Sequence, residues 1–455
     1  MPVDLAVRGG ASLVKGGGVL RSYVNQSTFV MYLHIRPDDL DDDVAWLRLL
    51  ESPTDTEALQ SAWLKQFEAS PNLFFHEIYH YWQGLQLPFL YKYAVLSHRV
   101  VIQAYAEMAK QNRPLREWDC MLPELYRLSL PVRVFFPEDL DGTESTCFMM
   151  ADPAAEVPAN SSTWWDFTPQ DLLETAASVS EFQVTQTAEK RIDPRAFHRW
   201  CKRRPAYSDA FEIASAALGE SLALATIVPI VNGAFHTSDP CRGFIELLGI
   251  LRISVNAGLV DLFLSYPEPR QWVPVVNGML DQMKFESNAE DSKLLGSSYH
   301  RISLTNWLFA TLDNEPLEHP FLTKKAIEWQ RRVETKPAYS LLLAQPAWAE
   351  EDSFWSALYD LQPPLSFVKF HGEEAYQRVI STGDTDWPQH HLKRLLTIYS
   401  VVHRASEAGV DPRNRLCHHL DCPQYGPNYC NTYPAVPRDF TNCQFPILHE
   451  ELSSH

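Results

Sequence analysis

His76-Glu77-Ile78-Tyr79-His80 places two imidazoles and a carboxylate where a helix could use all three on one metal ion. Histidines four residues apart lie on one face of a helix, about one turn from each other, so both rings can reach the same ion. Glu77 stands next to His76, beside the position such an ion leaves open. A carboxylate there can take a proton from a metal-bound water and later pass it to a leaving group. No other stretch of the 455 residues specifies chemistry as fully.

The flanks argue that the stretch is helical. Ser70-Pro71 supplies an N-cap followed by proline at the first helical position. Leu73, Phe74, Phe75, Ile78, Tyr79, Tyr81, Trp82 and Leu85 are apolar nearly all round, which marks a helix buried on most sides. Leu87-Pro88 ends it, because the residue before proline disfavours helical geometry. Two histidines and a glutamate inside so apolar a helix are costly to bury without partners, and a metal supplies them. The bland alternative is a buried helix whose polar groups simply hydrogen-bond to neighbours.

Two histidines do not hold a catalytic metal alone; a third protein ligand is needed, with one position left for water. At this point the chain resembles the zincin metallopeptidases, in the branch whose third ligand is a glutamate on a later helix. The resemblance covers the five-residue motif and one further helix. It implies a zinc-dependent hydrolase, with Glu77 as general base and a peptide or protein as substrate. The metzincin branch does not fit, since Gln83 and Gln86 stand where its Gly and His belong, with Gly84 one place off. The Asn-Glu-x-x-Ser-Asp string of thermolysin-like enzymes is also missing.

Two glutamates compete as third ligand. Glu174, in the apolar run Leu172 to Glu181, resembles the Glu-x-x-Ala helices of glutamate-type zincins and is the first choice. Glu220, in Leu218 to Ala223, is the second. Glu181, two turns beyond Glu174, is a candidate to orient an imidazole from outside the ligand set. Tyr207 and His236 are candidates to steady an oxyanion. The same two-histidine, one-carboxylate set loaded with iron(II) instead of zinc would describe a non-haem oxygenase. A helical binding module with a structural or lost metal site is the third reading.

Other chemistries are poorly specified. Gly16-Gly17-Gly18 lacks the Gly-Lys-Ser/Thr ending of a phosphate loop, and no Gly-x-Ser-x-Gly elbow occurs. Asp139, Asp141 and Gly142 lack the remaining ligands of a calcium loop. Glu77-x-x-His80 has no second copy to make a di-iron bundle. His390, His391 and His403 read as surface histidines. Cys120, Cys147, Cys201 and Cys241 are scattered, whereas Cys417, Cys422, Cys430 and Cys443 crowd together beside His418 and His419. Their spacing is looser than that of paired-cysteine zinc ribbons, so unlinked thiols are expected there, with a structural zinc or a disulfide as alternatives.

A formal net charge of -18 argues against a nucleic-acid or anionic-membrane surface, and no apolar run reaches the length of a membrane span. The glycine-rich start, residues 1 to 18, has no continuous apolar segment of the kind a secretory signal needs. The cytoplasm is the expected compartment, with export by another route left open.

The elements that must position the site read as mainly α with a small β element. Thr28 to Ile35 fits a strand pairing with Val19 to Val24, giving a β-rich segment over 1–36. A helical catalytic unit is expected over 37–410, and an irregular Cys/Pro-rich region over 411–455. Helices are expected at Thr56–Phe67, Pro71–Leu87, Leu90–Lys110, from Thr168-Pro169 through Glu181, at Ser208–Ile227, and in several segments up to Arg404. Val132–Phe136 and Cys147–Met150 are candidate strands.

Overall fold

Strand and helix propensities along the chain resolve into a mostly helical body with two small sheets in a computed structural model. It describes residues 23–24, 31–35, 71–94, 96–97, 128, 131–137, 149–151, 161–185, 194–201, 209–258, 272–283, 365–370 and 378–381. The first strands are β1 (Tyr23–Val24) and β2 (Met31–Ile35), antiparallel with Tyr23 opposite Tyr32 and Val24 opposite Met31. Helix α1 (Pro71–Gln86) carries the histidine motif. Proline opens it, and Leu87 interrupts the helical run before residues 88–94 resume it, as the Leu87-Pro88 pair predicts.

A three-stranded antiparallel sheet follows, in the order β4 (Met149–Ala151), β3 (Val132–Pro137), β5 (Ser161–Phe167). Strand β5 is absent from the sequence reading. Arg133 and Asp166 face each other across β3 and β5 and form a two-pronged ion pair at 2.6 and 2.8 Å. That pair fixes the register of β5 just before the chain turns into α2 (Pro169–Thr185).

Helix α2 begins with a reciprocal cap. The Asp171 backbone N–H donates to Thr168 Oγ1 at 3.2 Å, and the Thr168 backbone N–H donates to Asp171 Oδ2 at 2.7 Å. Pro169 occupies the first helical position, where a missing N–H costs nothing. Because α2 carries both Glu174 and Glu181, this cap sets where those carboxylates begin. Thr168→Ala is expected to cost about 1 kcal/mol of stability, the usual value of a lost N-cap, read as a lower urea midpoint with unchanged slope.

Helices α3 (Pro194–Cys201), α4 (Asp209–Leu218), α5 (Glu220–Ala234), α6 (Pro240–Asn256) and α7 (Trp272–Gln282) complete the helical body. The single helix expected over Ser208–Ile227 is two. Gly219 adopts φ 80°, a left-handed conformation that glycine takes without steric cost, and breaks the run there. Pro229 lies inside α5, and Asp239 caps α6 through the Arg242 N–H at 3.0 Å.

The helices pack on one another around a shared core. Helix α1 lies against α2, α2 against α4 and α5, and α6 and α7 against α5. Ile78, Tyr79, Tyr81, Trp82 and Leu85 of α1 are completely buried, as are Leu172, Leu173, Ala176, Ala177 and Val179 of α2. Small residues on α2 let α1 come close, which brings side chains of the two helices within bonding range. Among the described residues, no helix is long and apolar enough to cross a membrane.

Strands β6 (Leu365–Phe370) and β7 (Arg378–Ser381) lie in a region the sequence reading assigned to helices. The run Leu-Ser-Phe-Val-Lys-Phe is rich in aromatic and β-branched residues, which suits a strand. β6 pairs in parallel with β2 and antiparallel with β7, giving the sheet order β1-β2-β6-β7. The expected helix at Thr56–Phe67 lies outside the described residues, as do most of Leu90–Lys110, Cys120, Cys147, Tyr207, His390, His391, His403 and the region 411–455 with its four cysteines. Cys241 is a buried free thiol.

Candidate metal centre

One turn of α1 and one turn of α2 meet at His76, His80 and Glu174. Their ligand atoms lie within 4.8 Å of one another, and all three residues are buried. His76 Nε2 is 3.1 Å from His80 Nε2 and 3.1 Å from Glu174 Oε2, while His80 Nε2 is 3.4 Å from Glu174 Oε2. The two rings stand nearly perpendicular, at 82°, so their edges rather than their faces converge. Glu220 is exposed in the first turn of α5 and belongs to no such group, and His236 sits in the turn after α5.

The outward-facing atoms of all three residues are held. His76 Nδ1 lies 3.1 Å from Glu181 Oε2, so the carboxylate accepts the Nδ1–H. His80 Nδ1 lies 2.9 Å from Gln83 Oε1, the only acceptor on that amide. Gln170 Nε2 donates to Glu174 Oε1 at 2.8 Å. These partners assign the protons to Nδ1 on both rings and turn both Nε2 lone pairs inward. Two lone pairs and a carboxylate oxygen at 3.1–3.4 Å repel one another unless a positive charge stands among them.

A proton on His76 can supply that charge. Burial alone would push the His76 imidazole down, but hydrogen bonds and charges from Glu174 and Glu181 outweigh it and raise His76 to about 10. For Glu174, burial alone would raise the carboxyl, and the charges and hydrogen bonds of His80 and His76 instead hold it well below the usual carboxylate range. A dication bound in the same place would supply the same compensation, and binding would release the proton.

Ligand spacing agrees with a metal. Around an ion with bonds of about 2.0–2.1 Å, ligand atoms lie about 3.3–3.4 Å apart in a tetrahedron and about 2.8–3.0 Å apart along an octahedral edge. The observed 3.4 Å edge matches the tetrahedral spacing, and the two 3.1 Å edges fall between the two geometries. The group could therefore hold a divalent ion, with the ion's identity left to the chemistry around it.

Glu77 follows His76 on the same helix. It is only 3% exposed, and its Oε2 has no hydrogen-bond partner among the described residues. The Val24 backbone N–H of β1 bonds to its carboxylate, so strand β1 helps hold this side chain. Burial pushes its carboxyl up to about 8 against the pull of His76, with Glu174 and Glu181 adding to the rise. An orphaned buried carboxylate oxygen costs roughly 1–3 kcal/mol, which marks a place where a ligand or a water is expected.

Sequence reasoning passed over two of these residues. Gln83 entered it only as a departure from the metzincin pattern, although its three-residue offset from His80 puts it on the same helix face. Gln170, four residues before Glu174, carries the same signal. No family model, curated protein or solved structure matches the chain.

Proposed function

We infer that the chain is a metal-dependent hydrolase that uses zinc, with His76, His80 and Glu174 as ligands and Glu77 as general base. The observation that carries this reading is the inward convergence of two Nε2 lone pairs and one carboxylate oxygen, each braced from behind. Zinc bound there would polarise a substrate carbonyl and lower the pKa of a bound water. Glu77, next to His76 with a free oxygen, is placed to accept a proton from that water and return it to the leaving group. A peptide bond is the substrate class that fits the zincin-like motif.

Iron(II) in the same triad would make the chain an oxygenase instead. Glu77 favours the hydrolase, because a facial triad needs no buried carboxylate base beside its first histidine. Protein purified without added metal is expected to contain about one zinc per chain, measured by elemental analysis. It should also cleave an unstructured protein such as casein, and chelation should stop the cleavage. Iron in place of zinc would transfer the reading to the oxygenase, and no bound metal would leave a helical binding module.

A further inference from the structure

Gln170 stands behind the third ligand with no part in the chemistry described so far. It is the second residue of α2, directly behind the Thr168–Asp171 cap, and its backbone N–H donates to the Leu128 carbonyl at 3.1 Å. That fixes its Cα. Its side chain reaches one turn along the helix, and Nε2 donates to Glu174 Oε1 at 2.8 Å. Both close approaches between Glu174 and the histidines run to the other oxygen, Oε2. The two carboxylate oxygens therefore have separate partners: one faces the imidazoles and the other is held by an amide.

A carboxylate can bind an ion through one oxygen or two, and a second oxygen takes up a further coordination position. We propose that Gln170 is a positioning residue that keeps Glu174 a one-oxygen ligand and thereby holds a position on the ion free for water. The proposal rests on the metal-centre reading above and adds to it a residue outside the ligand set. Only a donor can do this work. Gln170 is half-buried, and a side chain of the same length without an N–H would fill its space while releasing Oε1.

The test uses the full chain loaded with Co2+ alone, whose visible absorption reports coordination number. Wild type is expected to show the intense absorption of a four-coordinate site. Gln170→Met, equal in length and lacking a donor, is expected to show the severalfold weaker absorption of a higher-coordinate site, with Co2+ affinity altered by about 10-fold. Gln170→Lys restores a donor and is expected to return the spectrum toward that of wild type. Circular dichroism on the same samples checks that each variant is folded. Identical spectra for wild type and Gln170→Met overturn the proposal and leave the metal centre standing. Equal change in the Met and Lys variants overturns it too, since packing rather than the donor would then be responsible. A wild-type chain that takes up no Co2+ overturns both the proposal and the metal centre.

Discussion

Replacing His80 with alanine is expected to strip the chain of its metal while leaving the fold in place. His80 is one of the three residues that could hold the ion, and its ring is buried between Gln83 and the other two. Zinc held by four protein ligands is bound by about 10–16 kcal/mol, so one ligand carries roughly 3 kcal/mol. Affinity should therefore fall by about 10²-fold or more. The measurement is Zn2+ affinity by competition with a chromophoric chelator. Thermal unfolding gives a second check: zinc at 100 times its Kd stabilises the wild-type chain by about 2.7 kcal/mol, and His80→Ala should show no such gain. His198→Ala is the control, because His198 sits on α3 outside the metal group and its loss should leave zinc affinity unchanged. Equal zinc affinity in wild type and His80→Ala would remove the metal centre altogether.

Much of the centre was legible because it is built from local rules. Two histidines four apart on a buried helix need no tertiary information to share a face, and the Thr168-Pro169 start announces α2 with the same clarity. The choice of Glu174 over Glu220 rested on weaker ground, a resemblance in four residues. The structure separates them by burial: Glu174 is enclosed between α1 and α2, and Glu220 opens α5 in solvent. The signal for that separation was Gly219. A glycine directly before Glu220 breaks the helix there and places the acid in a first turn, where carboxylates serve the helix dipole.

What escaped the sequence was long-range pairing. Strand β6 joins β2 in parallel across more than three hundred residues, and no local pattern names a partner at that distance. The contact of Val24 with Glu77 has the same character, since a backbone N–H carries no trace of its acceptor in the residue type. Both belong to the sheet that lies against α1. Helical periodicity therefore located the candidate ligands, while the sheet that restrains the proposed base became visible only in three dimensions.

That restraint bears on the second large effect, which separates a ligand from a base. Glu77→Gln replaces the carboxylate by an amide of the same shape. The amide oxygen can still accept the Val24 N–H, so strand β1 keeps its hold and the helix keeps its packing. His76, His80 and Glu174 are untouched, and zinc content is expected to stay at the wild-type level. What disappears is the basic oxygen, because the amide nitrogen that replaces it can only donate. Burial lifts the Glu77 carboxyl to about 8 in the metal-free chain, and a nearby dication would draw it back down, into a range suited to taking and returning a proton near neutrality. Hydrolytic turnover should fall by about 10²-fold or more in the variant, with metal content and activity measured on the same preparations. The contrast with His80→Ala is the informative part: one variant loses metal and activity together, the other loses activity alone. Full hydrolysis by a zinc-replete Glu77→Gln chain would exclude Glu77 as the base and, with it, the hydrolase mechanism built on its free oxygen.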